Sequence, residues 1–415
     1  MDLEKCFVIM GYNNTRINDV KIIREVALNN FDAKVVLFKE EIINQDKEVA
    51  DYYMQLELLS NNIDKAIEFL ELNNLEVIGV LPFSDKGVPI GAKIAEKLNL
   101  FHDASGMQAE ACINKEVFRK LEEKFNAPDW YKKVGYKKVY NREEAEDVLL
   151  RYGKMFMKPV AEGNSRGCME IHSKEHLSEW CDRFGVYFKD GVLCEELIDG
   201  EQEYSYDCLG NLEWITEKST TEGLFKGEYN HISPAPLSKD LYDRLIEAGR
   251  IVKNIIGSNN GANHHEFFIN KDGSISCVEP NRRPAGGKVF SFGNVLYRNA
   301  IENVWVRWLE IMSGKEITDT DVKMEKDVVG FRFVRSFKNK TIDASNDLSE
   351  LESFINKNFH NKIIEYNLTV SVGDKVTKDI ITNADFIGGV LLQDSSYEKV
   401  LVNLDSIENK INELI

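Results

Sequence analysis

The first hundred residues alternate short apolar runs with stretches of helical spacing, and this alternation limits the architecture more than any other feature. Cys6-Phe-Val-Ile-Met10 is an apolar run stopped by Gly11. Ile17, Val20, Ile23 and Ala27 then recur at helical intervals until Asn29-Asn30 breaks the pattern. Val35-Val-Leu-Phe38 and Glu76-Val-Ile-Gly-Val-Leu-Pro-Phe83 repeat the strand signal, with helical patterns at Ile63, Ala66, Ile67 and Leu70 and again from Ile90 to Leu98. Fully apolar strands must be covered on both faces, and intervening helices do this, so a small, mostly parallel sheet is predicted. Open sheets of this kind place ligands at the carboxyl ends of their strands, which singles out the loop Ser84-Asp-Lys-Gly87. The chain has no G-x-G-x-x-G after its first strand and no G-x-x-x-x-G-K-[ST], which argues against a dinucleotide-binding or Walker-type site.

The densest chemistry lies between His264 and Gly287. Two short strands flank Asn270-Lys271-Asp272-Gly273, a turn by composition. In a regular hairpin Cys277 would sit opposite Glu266, with Glu279 diagonally beyond and both carboxylates on one face. Two acids held close repel, and a cation between them relieves that repulsion. A hard divalent ion with oxygen ligands fits, most naturally Mg2+ carrying a nucleotide phosphate. Asn281 adds a neutral oxygen on the same side, and Arg283 a fixed positive charge. Two acids alone would read as a solvated hairpin. The charged run Glu279-Pro-Asn281-Arg-Arg283 directly after an apolar strand, ending in Ala-Gly-Gly, carries the site reading.

Upstream segments add positive groups. Asn114 is a candidate cap for a helix burying Val117, Phe118, Leu121 and Phe125, with Lys115 in its first turn. A lysine there opposes the helix dipole, so it is either solvated or held for an anion. From Met155 to Ile171 the pattern is strand, loop and returning strand, with Lys158 before the loop and Gly163, Ser165, Arg166 and Gly167 within it. Glycines let backbone N–H groups approach an anion, and a lysine is suited to phosphate, so a phosphate-covering lid is expected. The run Val192 to Glu203 reads as a strand entering a hinge whose backbone meets an adenine edge, with Glu203 on ribose hydroxyls. Lys218, Lys226 and His231 lie in a segment that would face substrate, although a lone histidine is ordinarily structural. Past Gly314, strands at Val328–Val334 and Tyr366–Val372 and a terminal amphipathic helix describe an α+β module.

A net charge of −17 over 415 residues argues against nucleic acid or an anionic membrane as partner. No apolar stretch reaches membrane-spanning length and no leader pattern opens the chain. The seven cysteines have no C-x-x-C spacing, as expected of free thiols in a reducing, cytoplasmic setting without a zinc site.

Taken in order, these pieces resemble the ATP-grasp superfamily. The matched stretches are Asn114-Lys115 with Phe118-Arg119, Phe156-Met-Lys158-Pro159, Gly163-Asn-Ser165-Arg-Gly167, and Glu195-Glu-Leu-Ile-Asp-Gly200 before Glu203. The Glu266/Glu279 pair and Glu279-Pro-Asn281-Arg-Arg283 complete the series. The Arg283-Pro-Ala-Gly-Gly287 turn is most similar to the branch that joins amino acids, the L-amino acid ligases. The resemblance implies a multidomain α/β and α+β protein with an ATP-grasp fold. An N-terminal Rossmann-like parallel sheet domain would span residues 1–103, linker helices and lid 104–195, the core 196–313, and a C-terminal α+β module 314–415.

It further implies that Lys115 and Lys158 hold ATP phosphates beneath the lid loop. Glu195, Glu196, Leu197 and Ile198 would border the adenine, with Glu203 on ribose. Glu266, Glu279 and Asn281 would hold Mg2+, or Mn2+ in its place. Arg283, His231, Gly286 and Gly287 would line the substrate, with Arg283 also catalytic. Gly200-Glu-Gln-Glu203 is one residue longer than the usual spacing, which leaves the ribose contact between Glu201 and Glu203, and Cys168 stands where a β-branched residue is usual. The activity implied is ATP-dependent ligation of a carboxylate and an amine, such as two amino acids, through an acyl phosphate. Alternatives are a bicarbonate-using carboxylase like biotin carboxylase, or a nucleotide-binding regulatory module without catalysis. Oligomeric state stays open, a homodimer being one outcome.

Overall fold

The structure is a computed structural model describing residues 3–102, 106–160, 166–221, 227–258, 260–318, 322–343 and 349–415. The expected parallel sheet is present. Strands β1 (Glu4–Met10), β2 (Lys34–Lys39), β3 (Tyr52–Gln55) and β4 (Leu75–Pro82) pair in the order β3-β2-β1-β4. Cys6 through Met10 are wholly buried, as a strand covered on both faces requires. Because β1 lies between β2 and β4, chain connections diverge on either side of the β1–β4 crevice, and the segments following both strands meet at its mouth. Gly87 starts the helix Gly87–Lys97 there. A Cβ at that position would fall 2.1 Å from the Met10 carbonyl oxygen, so only glycine permits the approach.

The lid sheet follows: β5 (Tyr136–Val139), β6 (Met155–Pro159), β7 (Met169–Ile171) and β8 (Val192–Glu196), antiparallel in the order β5-β8-β6-β7. The helices Arg142–Tyr152 and Lys174–Phe184 cover one face, with Trp180 fully buried among Leu177, Met155 and Ile171.

The core strands are β9 (Glu203–Leu209), β10 (Leu212–Thr220), β11 (Glu228–Ser233), β12 (Ala262–Ile269) and β13 (Ile275–Asn281). The module past residue 314 adds β14 (Val328–Val334), β15 (Lys340–Thr341), β16 (Ile363–Leu368), β17 (Lys375–Val376) and β18 (Gly388–Asp394). One eight-stranded sheet runs through both, in the order β13-β12-β9-β10-β11-β14-β18-β16, while β15 pairs with β17. The core and C-terminal module therefore share a sheet across the β11–β14 junction. Arg332 on β14 reinforces that junction, donating to Asn230 on β11 at 3.0 Å and contacting Glu408 of the terminal helix Tyr397–Leu414.

The parallel sheet is docked as firmly. Phe7, Ile9, Leu81 and Phe83 belong to one continuous apolar cluster with Trp214, Phe290, Trp305 and Trp308 of the core unit. Burying an aromatic side chain of that size contributes about 2–3 kcal/mol, so the crevice at the ends of β1 and β4 is held against the core by its own packing. Among the described residues, no helix is long and apolar enough to cross a membrane.

Candidate active site

The hairpin β12–β13 forms with its predicted turn but not with the regular register. Glu266 pairs directly with Glu279, Phe267 pairs with Cys277, and Val278 is the extra residue of a β-bulge. The expected Glu266–Cys277 pairing is therefore corrected: the bulge shifts the ladder and sets the two acids opposite each other instead of diagonally. Phe267 and Cys277 are fully buried on the opposite side. The Val278 carbonyl accepts from Arg119 Nη2 at 3.3 Å and Lys158 Nζ at 3.4 Å, so donors outside the hairpin satisfy the irregular strand. Asn281 is buried two residues beyond Glu279 and opposite His264.

The positive groups converge on this hairpin from two directions. Asn114 caps the helix Lys115–Lys124, accepting from the backbone N–H groups of Glu116 and Val117. Lys115 in its first turn reaches Glu279 at 2.9 Å. Burial works against the Lys115 charge, but Glu279 outweighs it and the pKa is raised. Lys158 on β6 pairs with Glu195 on β8 at 2.7 Å. Arg119 pairs with the same carboxylate at 2.7 Å and with Glu122 at 2.8 Å, all three buried. Burial would raise the Glu195 pKa, yet Arg119 and Lys158 prevail and hold it at about 2. Glu195 thus anchors Lys158 from beneath. Both lysines therefore meet the hairpin, Lys115 through the Glu279 carboxylate and Lys158 through the Val278 carbonyl.

The lid loop is only partly described: Gly163 and Ser165 lie outside the described residues, while Arg166 is exposed. Gly167 has φ +70°, and a Cβ there would lie 2.8 Å from Pro159 Cγ, so the returning chain needs glycine at this point. Glu196, Leu197 and Ile198 fall at the end of β8 and on the link to β9, the passage from the lid sheet to the core sheet. They are half-buried, and Glu201 beyond them is exposed.

Glu203 is placed among the acids. Its carboxylate takes Lys218 Nζ at 2.6 Å, and the same ammonium reaches Glu228 at 2.8 Å and Glu266 at 2.9 Å. One oxygen from each of Glu203, Glu228 and Glu266 lies within 4.8 Å of the others. Burial, with Glu266 and Glu228 nearby, raises the Glu203 pKa despite Lys218. Next to this cluster His264 binds Asp207 at 2.6 Å. Burial alone would lower the histidine pKa, but Asp207 lifts it to about 9. The sequence reading did not assign roles to Glu228, Asp207 or His264, and it gave Lys218 no acid partner. Lys218 and Glu203 are register partners on β10 and β9, a pairing invisible without the sheet order.

Across the crevice, Arg283 forks onto Asp85 of the Ser84–Gly87 loop, Nε at 2.6 Å and Nη2 at 3.1 Å. The parallel sheet thus meets Arg283 at the strand ends picked out by the sequence. His231, on β11, pairs with Glu228 at 3.1 Å, and its buried Nδ1 has no hydrogen-bond partner among the described residues. Its ring faces Gly287, where an added Cβ would come 3.3 Å from His231 Cε1. The arrangement has a basic side at the lid sheet, an acidic middle and an arginine–aspartate side at the parallel sheet.

A parallel N-terminal sheet, an antiparallel lid sheet and an antiparallel core sheet with acids on its last hairpin make this the ATP-grasp fold. Within that fold the chain is similar to the ligases that join amino acids. L-amino acid ligase from Bacillus licheniformis superposes with a TM-score of 0.74 at 18% identity, over 99% of this chain and 98% of that one. No protein-family model matches. D-alanine–D-alanine ligase of Vibrio campbellii is 26% identical over 219 residues, 47% of this chain and 64% of the relative. Alanine–anticapsin ligase of Bacillus subtilis is 24% identical over 225 residues, 47% of this chain and 46% of the relative. The chain spans less than two thirds of the length of either of these sequence relatives.

Proposed function

We propose that the chain is an ATP-dependent ligase that joins a carboxylate to an amine, with amino acids as both partners, by way of an acyl phosphate. The observation that carries this reading is the Glu266–Glu279 pair, set directly opposite by a bulge, with Lys115 on Glu279 and Lys158 behind it. A binding module has no need of two acids forced together beside two lysines.

The donor set suits Mg2+: Glu266, Glu279 and Asn281 offer hard oxygens on one face, and the two carboxylates are the charged ligands such an ion prefers. Bound there, the ion would offset charge on the ATP phosphates. The chain's own residues supply the rest. Lys115 and Lys158 draw the triphosphate under the lid, and the Glu196–Ile198 link borders the base. A carboxylate oxygen attacks the γ-phosphorus and ADP leaves, a transfer that depends on positioning and charge neutralisation more than on covalent help. The amine nitrogen then attacks the acyl carbon, the carbon–oxygen bond to phosphate breaks, and the nitrogen loses its proton. Arg283 offsets charge on the tetrahedral intermediate, and the Asp85 carboxylate that it grips would draw a substrate ammonium, so that together they would read an amino acid as a zwitterion.

The test uses the full chain with ATP, Mg2+ and pairs drawn from the twenty amino acids. The expected products are ADP and phosphate, with a hydroxamate when hydroxylamine replaces the amine. AMP as nucleotide product, or ATP turnover requiring bicarbonate and no amino acid, overturns the reading.

A further inference from the structure

Arg16 stands in the crevice at the ends of β1 and β4, and none of the roles above uses it. Its Nε pairs with Asp19 at 3.0 Å, and its guanidinium carbon sits 3.9 Å from the centre of the Phe83 ring. Its Nη1 donates to the Pro284 carbonyl at 2.9 Å, and Arg283 Nη1 donates to that same oxygen at 3.3 Å. Two guanidinium groups therefore converge within one carbonyl's reach. Each is held by its own carboxylate, Asp19 for Arg16 and Asp85 for Arg283.

The partners are unequally spent. Arg283 commits Nε and Nη2 to Asp85 and Nη1 to Pro284. Arg16 uses Nε and Nη1, and its Nη2 has no partner among the described residues. The side chain is only 11% exposed and lies over the Phe83 ring, so that nitrogen is held in place instead of sweeping through solvent. Asp19 is also drawn on by Lys288, at 3.8 Å, which leaves it less able to neutralise Arg16 alone.

Position selects the anion. Glu279, Arg283, the Pro284 carbonyl and Arg16 follow one another from the lysine side of the site toward the parallel sheet. A carboxylate activated beside Lys115 and Glu279 would lie on the near side of Arg283. The second amino acid's own carboxylate must stay unreacted and away from the nucleotide, and Arg16 offers a charge on the side of Arg283 turned to the parallel sheet. We propose that Arg16 binds the carboxylate of the amine-donating amino acid. This rests on the ligase reading, and it makes Arg16 a specificity-determining residue supplied by the N-terminal unit.

The experiment compares wild type with Arg16→Gln, using the best amine donor from the amino-acid panel, the carboxamide of that donor, and hydroxylamine. Wild type should use the free amino acid at least tenfold better, in kcat/KM, than its carboxamide. Arg16→Gln should raise the KM for the amino acid at least tenfold and erase that preference, while the KM of the acid partner, measured with hydroxylamine, moves less than twofold. An unchanged amine-donor KM overturns the proposal, as does a rise confined to the acid partner. Should Arg16→Gln lose its cooperative melt, the wild-type preference decides alone: equal use of carboxamide and amino acid overturns the proposal. Failure of the ligase reading looks different, because wild type would then give no hydroxamate at all.

Discussion

Glu266 and Glu279 stand directly opposite each other because Val278 is extruded from the ladder beside them. The extruded residue's carbonyl is held by Lys158 and Arg119. The lysine assigned to the phosphates thus also helps fix the backbone that aligns the acids. Replacing Glu279 tests the aligned pair directly. Glu279 is 29% exposed, so Glu279→Gln should fold normally. Its amino-acid-dependent phosphate release should fall at least about a hundredfold, the loss of about 3 kcal/mol typical of one electrostatic contact at a reacting centre. Turnover within threefold of wild type would remove the acid pair from the chemistry.

Arg119 makes a different kind of contribution. It is buried, meets Glu195 and Glu122, and supports the bulge carbonyl. Arg119→Met would leave two buried carboxylates without their strongest partner, a loss of about 3–5 kcal/mol. Urea denaturation measures it. A change below about 1 kcal/mol would mean the network carries no weight in holding the hairpin.

The same network fixes an acid limit. The folded-state pKa of Glu195 is depressed to about 2 from 4.5. A depressed acid contributes stability that is fully present above 4.5 and is lost as pH falls from 4.5 toward 2. That contribution is on the order of 3 kcal/mol. Glu195→Gln should therefore show a shallower fall in melting temperature between pH 5 and pH 3 than wild type. Parallel curves would place the acid sensitivity elsewhere.

Much of this was readable beforehand, for physical reasons that differ from place to place. The buried strands β1 and β2 declared themselves because a strand covered on both faces must be continuously apolar. Asn114 was legible as a cap because capping is local chemistry. The bulge was not, since one extruded residue leaves the alternation on either side intact. Lys218 was not either: its three acid partners come from β9, β11 and β12, which only the sheet order brings together. The Arg283–Asp85 fork spans two units, and nothing in the sequence near either residue specifies the other.

Lys218 offers the sharpest test of how the acid cluster is balanced. It is buried, and its ammonium is the cation shared by Glu203, Glu228 and Glu266. Lys218→Met keeps most of the side-chain volume but removes the charge, leaving three close carboxylates to repel one another. Without divalent ions the variant should be destabilised by about 3–5 kcal/mol, as when one partner of a buried ion pair is lost. A divalent ion can take over part of the missing charge, because the oxygens are already gathered within 4.8 Å. Adding Mg2+ or Mn2+ should therefore raise the melting temperature of Lys218→Met by several degrees more than that of wild type, and EDTA should reverse the gain. Equal responses in the two proteins would show that the acids do not depend on Lys218 for their balance.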